Sequence, residues 1–365
     1  MQSQPFQIMA KPAGSICNLD CHYCFYLEKP HLAQRHMDFN LLEKYIENYI
    51  HQTPQQEVTF LWQGGEPTLA GIDFYRQAVK LQRRYAGRKK IYNALQTNGV
   101  LLNTEWAEFL REHQFLVGLS IDGTEAMHDA YRVSKSQKGT FKQVMDALNL
   151  LKSHQVEFNT LTVVHKGNVK SGAEVYQFLR EIGSTYMQFI PLMGEWEQKA
   201  SSEDYGKMMR DIFDQWYPND IGRIGVQFIE QWLMAYLGLE PSLCIFRKNC
   251  GDQMIIEQNG DIYSCDHYVY PEYKLGNLVE TPLLDMTYSP QQQRFGQMKS
   301  HLSARCQQCR FQFACHGGCP KHRTVQGFGE PHNQLCEAYY STLEYLDPYL
   351  KHLANYLRQQ HQHSY

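Results

Sequence analysis

Three cysteines near the start of the chain have the spacing of a metal-cluster site. The segment CNLDCHYC carries Cys17, Cys21 and Cys24 in a Cys-x3-Cys-x2-Cys arrangement. Three nearby thiolates can hold three irons of a cubane 4Fe–4S cluster, a cluster that usually takes four cysteines. The fourth iron would keep one position open, as catalytic metal sites do and closed structural sites do not. A zinc knuckle is the alternative, although zinc sites favour two paired Cys-x2-Cys units close together.

A glycine pair and a carboxylate follow the second apolar run of the chain. The segment reads QGGEP and contains Gly64, Gly65 and Glu66. Glycines let the backbone approach a ligand closely, and a nearby carboxylate suits a cationic amino group. By itself the string is a weak signal, because glycines are also common in ordinary strand-end turns.

Eight further cysteines lie in the last third of the chain. They are Cys244, Cys250, Cys265, Cys306, Cys309, Cys315, Cys319 and Cys336. Eight thiolates divide into two sets of four, which is enough for two closed clusters. Closed clusters would carry electrons or brace the fold and would not bind a substrate directly. Two structural zinc sites are the alternative use of the same residues.

Short β-type runs alternate with amphipathic segments over the first half of the chain. The predicted strands are Phe6–Ala10, Val58–Trp62, Ile91–Gln96, Leu116–Leu119, Phe158–Val164 and Tyr186–Ile190. Helices are predicted after the N-cap residue Asp38, near 73–86, 104–113, 140–153 and 171–182, and over 203–239 and 337–358. This alternation predicts an α/β fold with a parallel sheet, as a barrel or as an open sheet. Active sites of parallel barrels lie at the carboxyl ends of the strands, where the cysteine triplet and QGGEP fall.

The bulk composition indicates a folded protein without a nucleic-acid or membrane partner. Hydrophobic residues make up 43% and charged residues 20% of the 365 residues. The net charge of −3 gives no basic surface for nucleic acid or for anionic lipid. The first residues lack the basic and apolar parts of a signal peptide, and no apolar run is long enough for a bilayer. We therefore expect a cytoplasmic protein, in which eleven cysteines favour metal ligation over disulfides.

The cysteine triplet, followed one strand later by QGGEP, resembles the radical SAM superfamily. The resemblance implies that the open iron binds the amino and carboxylate groups of S-adenosylmethionine and that one electron releases a 5′-deoxyadenosyl radical. It also implies a partial (β/α)6 TIM-like barrel. The cofactor-binding residues implied by the resemblance are Tyr23, Gly64, Gly65, Glu66, Ser120, Arg132 and Leu192. Ser120 and Arg132 would contact the ribose or carboxylate, and Tyr23 and the backbone of Leu192 would flank the adenine.

The ordered cysteines from Cys244 to Cys336 resemble the SPASM domain, a small C-terminal iron–sulfur domain that holds two auxiliary 4Fe–4S clusters. By that pattern one auxiliary cluster is held by Cys244, Cys250, Cys265 and Cys319. The other is held by Cys306, Cys309, Cys315 and Cys336. With the cluster at Cys17, Cys21 and Cys24, the resemblance implies three clusters in one chain.

Over nearly its whole length the chain resembles anaerobic sulfatase-maturating enzymes. The segments that carry this resemblance are CNLDCHYCFYLEK, WQGGEPTLAG, ALQTNGVLL, GLSIDG, QFIPL, NGDIYSCDHYVYP and CHGGCPKHR. Such enzymes oxidise a Cys or Ser of a sulfatase to formylglycine. The resemblance gives Asp266, directly after Cys265, the role of general base. The alternative is a structural role in a turn, in which the Asp266 side chain would form a hydrogen bond with the backbone.

The resemblance also implies partners and domain boundaries. The substrate would be a sulfatase polypeptide, unfolded or nascent, and the electron donor a flavodoxin or ferredoxin. We predict a radical SAM barrel with a helical linker over 1–240, the SPASM domain over 241–340 and a C-terminal helix over 341–365. Neither the target sulfatase nor a preference between Cys and Ser follows from the sequence.

Two other functions stay open at this point. The first is a peptide maturase that forms thioether or carbon–carbon cross-links in a small precursor peptide. Many such enzymes begin with a peptide-recognition domain, and the sixteen residues before Cys17 are too few for one. The second is a non-enzymatic iron–sulfur electron carrier, which would need neither QGGEP nor a barrel.

Overall fold

The computed structural model describes residues 5–29, 32, 35–194, 196–324 and 330–362. Strands in this part of the chain are Gln7–Lys11 (β1), Glu57–Trp62 (β2), Lys90–Thr97 (β3), Leu116–Ser120 (β4), Phe158–Val164 (β5), Tyr186–Pro191 (β6), Gly225–Val226 (β7), Gln253–Glu257 (β8), Asp261–Tyr263 (β9), Lys274–Asn277 (β10), Arg323–Thr324 (β11) and His332–Asn333 (β12). The first six coincide with the six predicted strands to within a residue or two.

The α-helices of the described residues include every predicted helical segment, together with five short helices that were not predicted. They are Phe39–Gln52 (α1), Ile72–Tyr85 (α2), Thr104–Glu112 (α3), Glu125–Asp129 (α4), Phe141–Ser153 (α5), Gly172–Glu181 (α6), Ser202–Asn219 (α7), Gln227–Leu237 (α8), Leu283–Thr287 (α9), Pro290–Met298 (α10), Ala304–Gln307 (α11), Gln312–Cys315 (α12) and Cys336–Gln362 (α13). The segment predicted as helical over 203–239 is two helices, α7 and α8, with the short strand β7 between them.

The described residues form two compact units. The first contains residues 5–121, 128–159 and 251–296, and the second contains 122–127, 160–250 and 297–362, without the gaps given above. The segment after residue 250 therefore belongs to the same unit as the start of the chain. The domain boundaries predicted at 240 and 340 stay a prediction.

The first unit is built on a largely parallel sheet. Its strands lie in the order β10-β9-β8-β1-β2-β3-β4. Neighbours from β8 to β4 run parallel, whereas β9 and β10 return antiparallel. The carboxyl ends of β1 and β8 meet in register, because Lys11 is the ladder partner of Glu257. All parallel strands of this unit therefore present their carboxyl ends at one edge.

Side-chain alternation divides β1 between two faces. Phe6, Ile8 and Ala10 join a large apolar core together with the buried face of α1. The carboxylate of Asp38 accepts a hydrogen bond from the Leu41 N–H at 2.8 Å and caps α1, as predicted. Met9, on the opposite face, packs in a smaller core that contains Ile255 of β8. Since alternate residues share a face, Lys11 and Glu257 point to the side of this smaller core.

The second unit combines a short parallel sheet with long helices. Its strands lie in the order β5-β6-β7, with the residues of β5 from Thr160 onward in this unit. Helix α7 packs against α13, and the added Cβ of an alanine at Gly206 would lie 3.0 Å from the Cα of Ala338. The predicted final helix is confirmed as α13. None of the described helices has both the length and the hydropathy that crossing a membrane requires.

Candidate active site

The loop that follows β1 carries the cysteine triplet. Backbone hydrogen bonds hold it in place: the Asp20 N–H donates to the Val133 carbonyl at 2.8 Å, and the His22 N–H donates to the Tyr131 carbonyl at 3.0 Å. Within the triplet, the Cys24 N–H donates to the Cys21 carbonyl at 3.1 Å. The loop is thus attached at its middle to the segment that contains Arg132.

The three thiols of this loop are close enough to affect one another electrostatically. Burial raises the pKa of Cys17 to about 12, and negative charge on Glu66, Cys21 and Cys24 acts in the same direction. Three thiolates gathered beside a buried carboxylate would be strongly destabilised without a cation. The donor set therefore fits an iron cluster, whose positive irons stabilise thiolates.

The glycine pair lets the QGGEP loop lie directly on the cluster loop. The Gly65 N–H donates to the Gly14 carbonyl, and the Glu66 N–H donates to the Ile16 carbonyl, both at 2.8 Å. A Cβ added at Gly65 would lie 2.1 Å from the carbonyl oxygen of Ile16, the residue that precedes Cys17. Glycine is required here by the close approach of two backbones.

We expect Gly65→Ala to displace the cluster loop, because the added Cβ meets backbone atoms that cannot rotate away. Overpacking of this kind costs about 1–3 kcal/mol of stability. The thermal midpoint and the iron content of the anaerobically purified protein should both fall. Gly71→Ala is the control, because nothing lies within 4 Å of the Cβ it adds, although Gly71 has a φ of 82°. Equal iron content in the two variants would contradict this account.

Glu66 joins the carboxyl ends of β2 and β3. Its Oε1 accepts hydrogen bonds from the Thr68 N–H at 3.0 Å, the Thr68 hydroxyl at 2.6 Å and the Thr97 hydroxyl at 2.8 Å. Its Oε2 accepts from the Asn98 N–H at 2.9 Å. Burial raises the pKa of Glu66, and these four hydrogen bonds oppose that effect. Oε2 is the oxygen with remaining capacity to accept from a ligand.

Asn98 connects this carboxylate to the cluster loop. Its side-chain amide donates to Asn18 Oδ1 at 2.8 Å and lies 3.8 Å from the Cys17 sulfur. Glu66 therefore positions Asn98, and Asn98 contacts the loop that carries the cysteines. Asn98 enters the resemblance above only within the segment ALQTNGVLL, which does not predict this contact.

Three other predicted cofactor residues lie in the first unit and are nearly buried. The guanidinium of Arg132 lies 5.5 Å from the centre of the Tyr23 ring, a distance that permits a cation–π contact. Ser120 is the last residue of β4 and is 7% exposed. Leu192 belongs to the second unit, where its N–H donates to the Val164 carbonyl at 3.1 Å. The first unit thus brings Tyr23 and Arg132 together.

Asp266 forms an ion pair with Lys11, a residue that sequence reasoning missed. Lys11 ends β1 and its side chain is 2% exposed, whereas that of Asp266 is 21% exposed. The Lys11 ammonium donates a hydrogen bond to Asp266 Oδ1. Burial by itself would raise the pKa of Asp266, but Lys11, His267 and Lys29 outweigh it, and the pKa is lowered overall. Asp266 is therefore held as a carboxylate that can accept a proton.

A second carboxyl, Glu257, and Tyr26 lie next to this pair. The Tyr26 hydroxyl donates to Glu257 Oε1, and the ammonium of Lys11 lies 3.8 Å from the centre of the Tyr26 ring. Tyr26 itself is buried, with 2% of its surface exposed. A charged residue at the end of an apolar strand, as in IMAK and MIIE, was the signal available for Lys11 and Glu257.

Four cysteines of the second unit line one cavity of about 220 Å³. They are Cys306, Cys309, Cys315 and Cys336. Burial raises the pKa of Cys315 to about 12, and charge on Cys336 and Cys306 contributes to the increase. Four thiols around one cavity fit a closed cluster better than a disulfide framework. All eleven cysteines lie in the described residues, and none of them forms a disulfide.

The other predicted auxiliary set is divided between the two units. Cys244, Cys250 and Cys319 lie in the second unit, where burial raises the pKa of Cys319 to about 11 and charge on Cys244 adds to it. Cys265 lies in the first unit, between β9 and Asp266.

Known families match both parts of this arrangement. Residues 12–179 match the radical SAM superfamily, and residues 244–310 match SPASM, an iron–sulfur cluster-binding domain. A serine-type anaerobic sulfatase-maturating enzyme of Bacteroides thetaiotaomicron is 40% identical to the chain. The alignment covers 98% of this chain and 93% of that enzyme. The chain belongs to the anaerobic sulfatase-maturating enzymes.

Two further relatives of this maturase extend the comparison. A cysteine-type anaerobic sulfatase-maturating enzyme of Clostridium perfringens (strain 13 / Type A) is 32% identical over 97% of this chain and 100% of its own length. The solved structure of native anSMEcpe with bound AdoMet and Kp18Cys peptide is also 32% identical, with a TM-score of 0.90. The match covers 96% of this chain and 99% of that structure.

These matches confirm the predicted α/β radical SAM fold with its C-terminal cysteine-rich domain. They also confirm that the maturase is a radical SAM enzyme that uses S-adenosylmethionine and carries auxiliary iron–sulfur clusters. The reading as a non-enzymatic electron carrier is thereby wrong. The assignment of individual residues to each cluster and to S-adenosylmethionine stays a prediction, supported by the placements above.

Proposed function

We propose that this maturase oxidises the Cβ of a Ser or Cys in a sulfatase polypeptide to formylglycine, with Asp266 as the general base. The observation that carries the proposal is the Lys11–Asp266 ion pair, which keeps a partly exposed carboxylate ionised directly beside Cys265. Sulfatase maturases act on sulfatases, and here the target would be an unfolded or nascent chain.

The oxidation of serine removes two hydrogens from the CH2OH group. When bound, S-adenosylmethionine and the cluster at Cys17, Cys21 and Cys24 supply the radical that removes one hydrogen atom from Cβ. Asp266 accepts the hydroxyl proton. An auxiliary cluster held in part by Cys265 would supply the acceptor for the remaining electron. For a cysteine substrate, Asp266 accepts the thiol proton, and water hydrolyses the resulting thioaldehyde to the aldehyde with release of hydrogen sulfide. A base in this position contributes about 10²–10⁴-fold to the rate.

The first unit supplies the residues that would hold S-adenosylmethionine. Gly64 and Gly65 bring the backbone against the cluster loop, and Glu66 Oε2 is available to the amino group. The Arg132 guanidinium lies 5.5 Å from the centre of the Tyr23 ring. Ser120, at the end of β4, completes the proposed set within the first unit. Leu192, which the resemblance assigns to the adenine, directly follows β6 in the second unit. A flavodoxin or ferredoxin in the cytoplasm would donate the electron, and we propose no nucleic-acid or membrane partner.

The test is anaerobic incubation with S-adenosylmethionine, a reductant and a short sulfatase-type peptide. Because the serine-type relative is the more similar of the two described above, we expect a Ser-x-Ala-x-Arg peptide to be converted, with Cys-x-Pro-x-Arg as the matched substrate. Mass spectrometry should show loss of two hydrogens from serine, or an aldehyde in place of the cysteine thiol. A new thioether or carbon–carbon cross-link, with no aldehyde, would favour the peptide-maturase alternative.

A further inference from the structure

Glu257 is a second carboxyl at the proposed reaction centre, and the mechanism above does not use it. It ends β8, is ladder partner to Lys11 at the end of β1, and is fully buried. The alternation of side chains places it on the same face as Ile255, which packs against Tyr26 and Tyr263. Its position follows from the parallel pairing of two strands separated by more than half of the chain.

The hydrogen bonding of Glu257 is incomplete for a charged carboxylate. Oε1 accepts a hydrogen bond from the Tyr26 hydroxyl. Oε2 is buried and has no hydrogen-bond partner within the described part of the chain. A buried oxygen that carries charge and receives no donor costs several kcal/mol, whereas a neutral carboxyl group costs much less.

The nearby positive charges are already engaged by other groups. Lys11 donates to Asp266. Lys29 donates to the Val269 carbonyl at 3.2 Å, and its ammonium lies 4.7 Å from the centre of the Tyr270 ring. Two carboxyl groups thus lie near the Lys11 ammonium, and Asp266 is the one that forms a direct ion pair with it. An ionised Glu257 would compete with Asp266 for Lys11.

We propose that Glu257 is carried as the neutral acid and acts as a positioning residue for the reaction. In this state Glu257 accepts a hydrogen bond from the Tyr26 hydroxyl. It does not compete with Asp266 for the ion pair with Lys11. The two carboxyls then have different roles, with Asp266 ionised as the base and Glu257 uncharged as its support. This inference rests on the proposed function for its catalytic consequence, but the protonation of Glu257 can be measured independently of catalysis.

The electrostatics of the site agree with this assignment. Burial raises the pKa of Glu257 to about 7, although the charge of Lys11 and the hydrogen bond from Tyr26 act to lower it. Glu257 is therefore neutral below about pH 7 and ionises as the pH rises above that value. The titratable groups that face it are Lys11 from β1, Tyr26 and Lys29 from the following loop, Tyr263 from β9, and Asp266.

The decisive variant is Glu257→Gln, which keeps an oxygen acceptor for Tyr26 and cannot ionise. At about one pH unit below 7, we measure the ratio of formylglycine to 5′-deoxyadenosine that each protein forms. We expect this product ratio in Glu257→Gln to stay within about 3-fold of the wild-type value. Above pH 7 the wild-type ratio should fall, and the variant should not show that fall. Asp261→Asn is the matched control, because it makes the same chemical change at a carboxylate on β9 that pairs with Lys274 at 2.7 Å. This control should retain the wild-type pH profile.

The protonation state has a readout that needs no turnover. Infrared difference spectra of the anaerobic holoenzyme between low and high pH should contain a neutral-carboxyl band, and Glu257→Gln should lose it. The same band in both proteins, or a more than 10-fold loss of product ratio in Glu257→Gln below pH 7, would overturn the proposal. If wild-type enzyme makes no formylglycine, the proposed function fails, while the infrared result still decides the state of Glu257.

Discussion

Asp266→Asn should lower formylglycine formation by about 10²–10⁴-fold, because the amide cannot accept the proton from the substrate hydroxyl or thiol. S-adenosylmethionine cleavage should continue, since the residues proposed to hold the cofactor are unchanged. The variant should therefore form 5′-deoxyadenosine without aldehyde. Paired chromatographic measurement of 5′-deoxyadenosine and mass-spectrometric measurement of aldehyde would show this separation.

The Asp266→Asn result needs a control for the loss of an ion pair in a buried region. Asp261→Asn changes a carboxylate on the same β-hairpin, one that pairs with Lys274 and not with Lys11. It should retain both product and cofactor cleavage, and iron content should be equal in all three proteins. Normal aldehyde yield from Asp266→Asn would remove Asp266 from the mechanism.

The elements of the first half were predictable because their signals are local. Each of the six first strands is a short apolar run bounded by polar turns, and each helix has one apolar face. In α1, the apolar residues Leu42, Tyr45 and Ile46 recur at helical spacing, and all three are buried. Over 203–239 the sequence predicted continuous helix, whereas the structure has two helices separated by β7. This strand contains only two residues, Gly225 and Val226, which are too few to interrupt a helical pattern in the sequence visibly.

The partners of the second carboxyl were not predictable, because they depend on pairing between distant strands. Strand β8 lies beside β1 in the sheet, although Glu257 follows Lys11 by 246 positions in the sequence. Neither strand's sequence contains a feature that identifies the other strand as its partner. Once the strands pair in parallel, however, register and alternation fix Lys11, Glu257 and the adjacent Tyr26 on one face.

The cysteine spacings predicted the cofactor chemistry, whereas the supporting contacts required the structure. A triplet of thiols is visible in the sequence, but the hydrogen bonds from Glu66 through Asn98 to the cluster loop are not. The glycines of QGGEP show the same limit. Two adjacent glycines suggested a close approach of the backbone to a ligand. The structure adds that Gly65 lies against the backbone of Ile16.

The triple variant Cys17→Ala, Cys21→Ala and Cys24→Ala should abolish S-adenosylmethionine cleavage, because no other thiols of the loop can hold the proposed open-iron cluster. Iron should fall by roughly a third, since three clusters of equal size would become two. The auxiliary cysteines around the cavity in the second unit are untouched, so the protein should remain coloured. Iron analysis and anaerobic measurement of 5′-deoxyadenosine test both statements.

The control for the triple variant is His22→Ala, in the same loop. His22 is exposed, contacts Gln137 at 2.9 Å and is not a proposed ligand. It should keep the iron and the cleavage rate of the wild type, because its N–H, which anchors the loop to Tyr131, belongs to the backbone. Cleavage by the triple variant at more than about a hundredth of the wild-type rate would mean that another centre binds the cofactor. Complete loss of iron would instead mean that the auxiliary clusters need this loop, and circular dichroism would then show whether the fold persists.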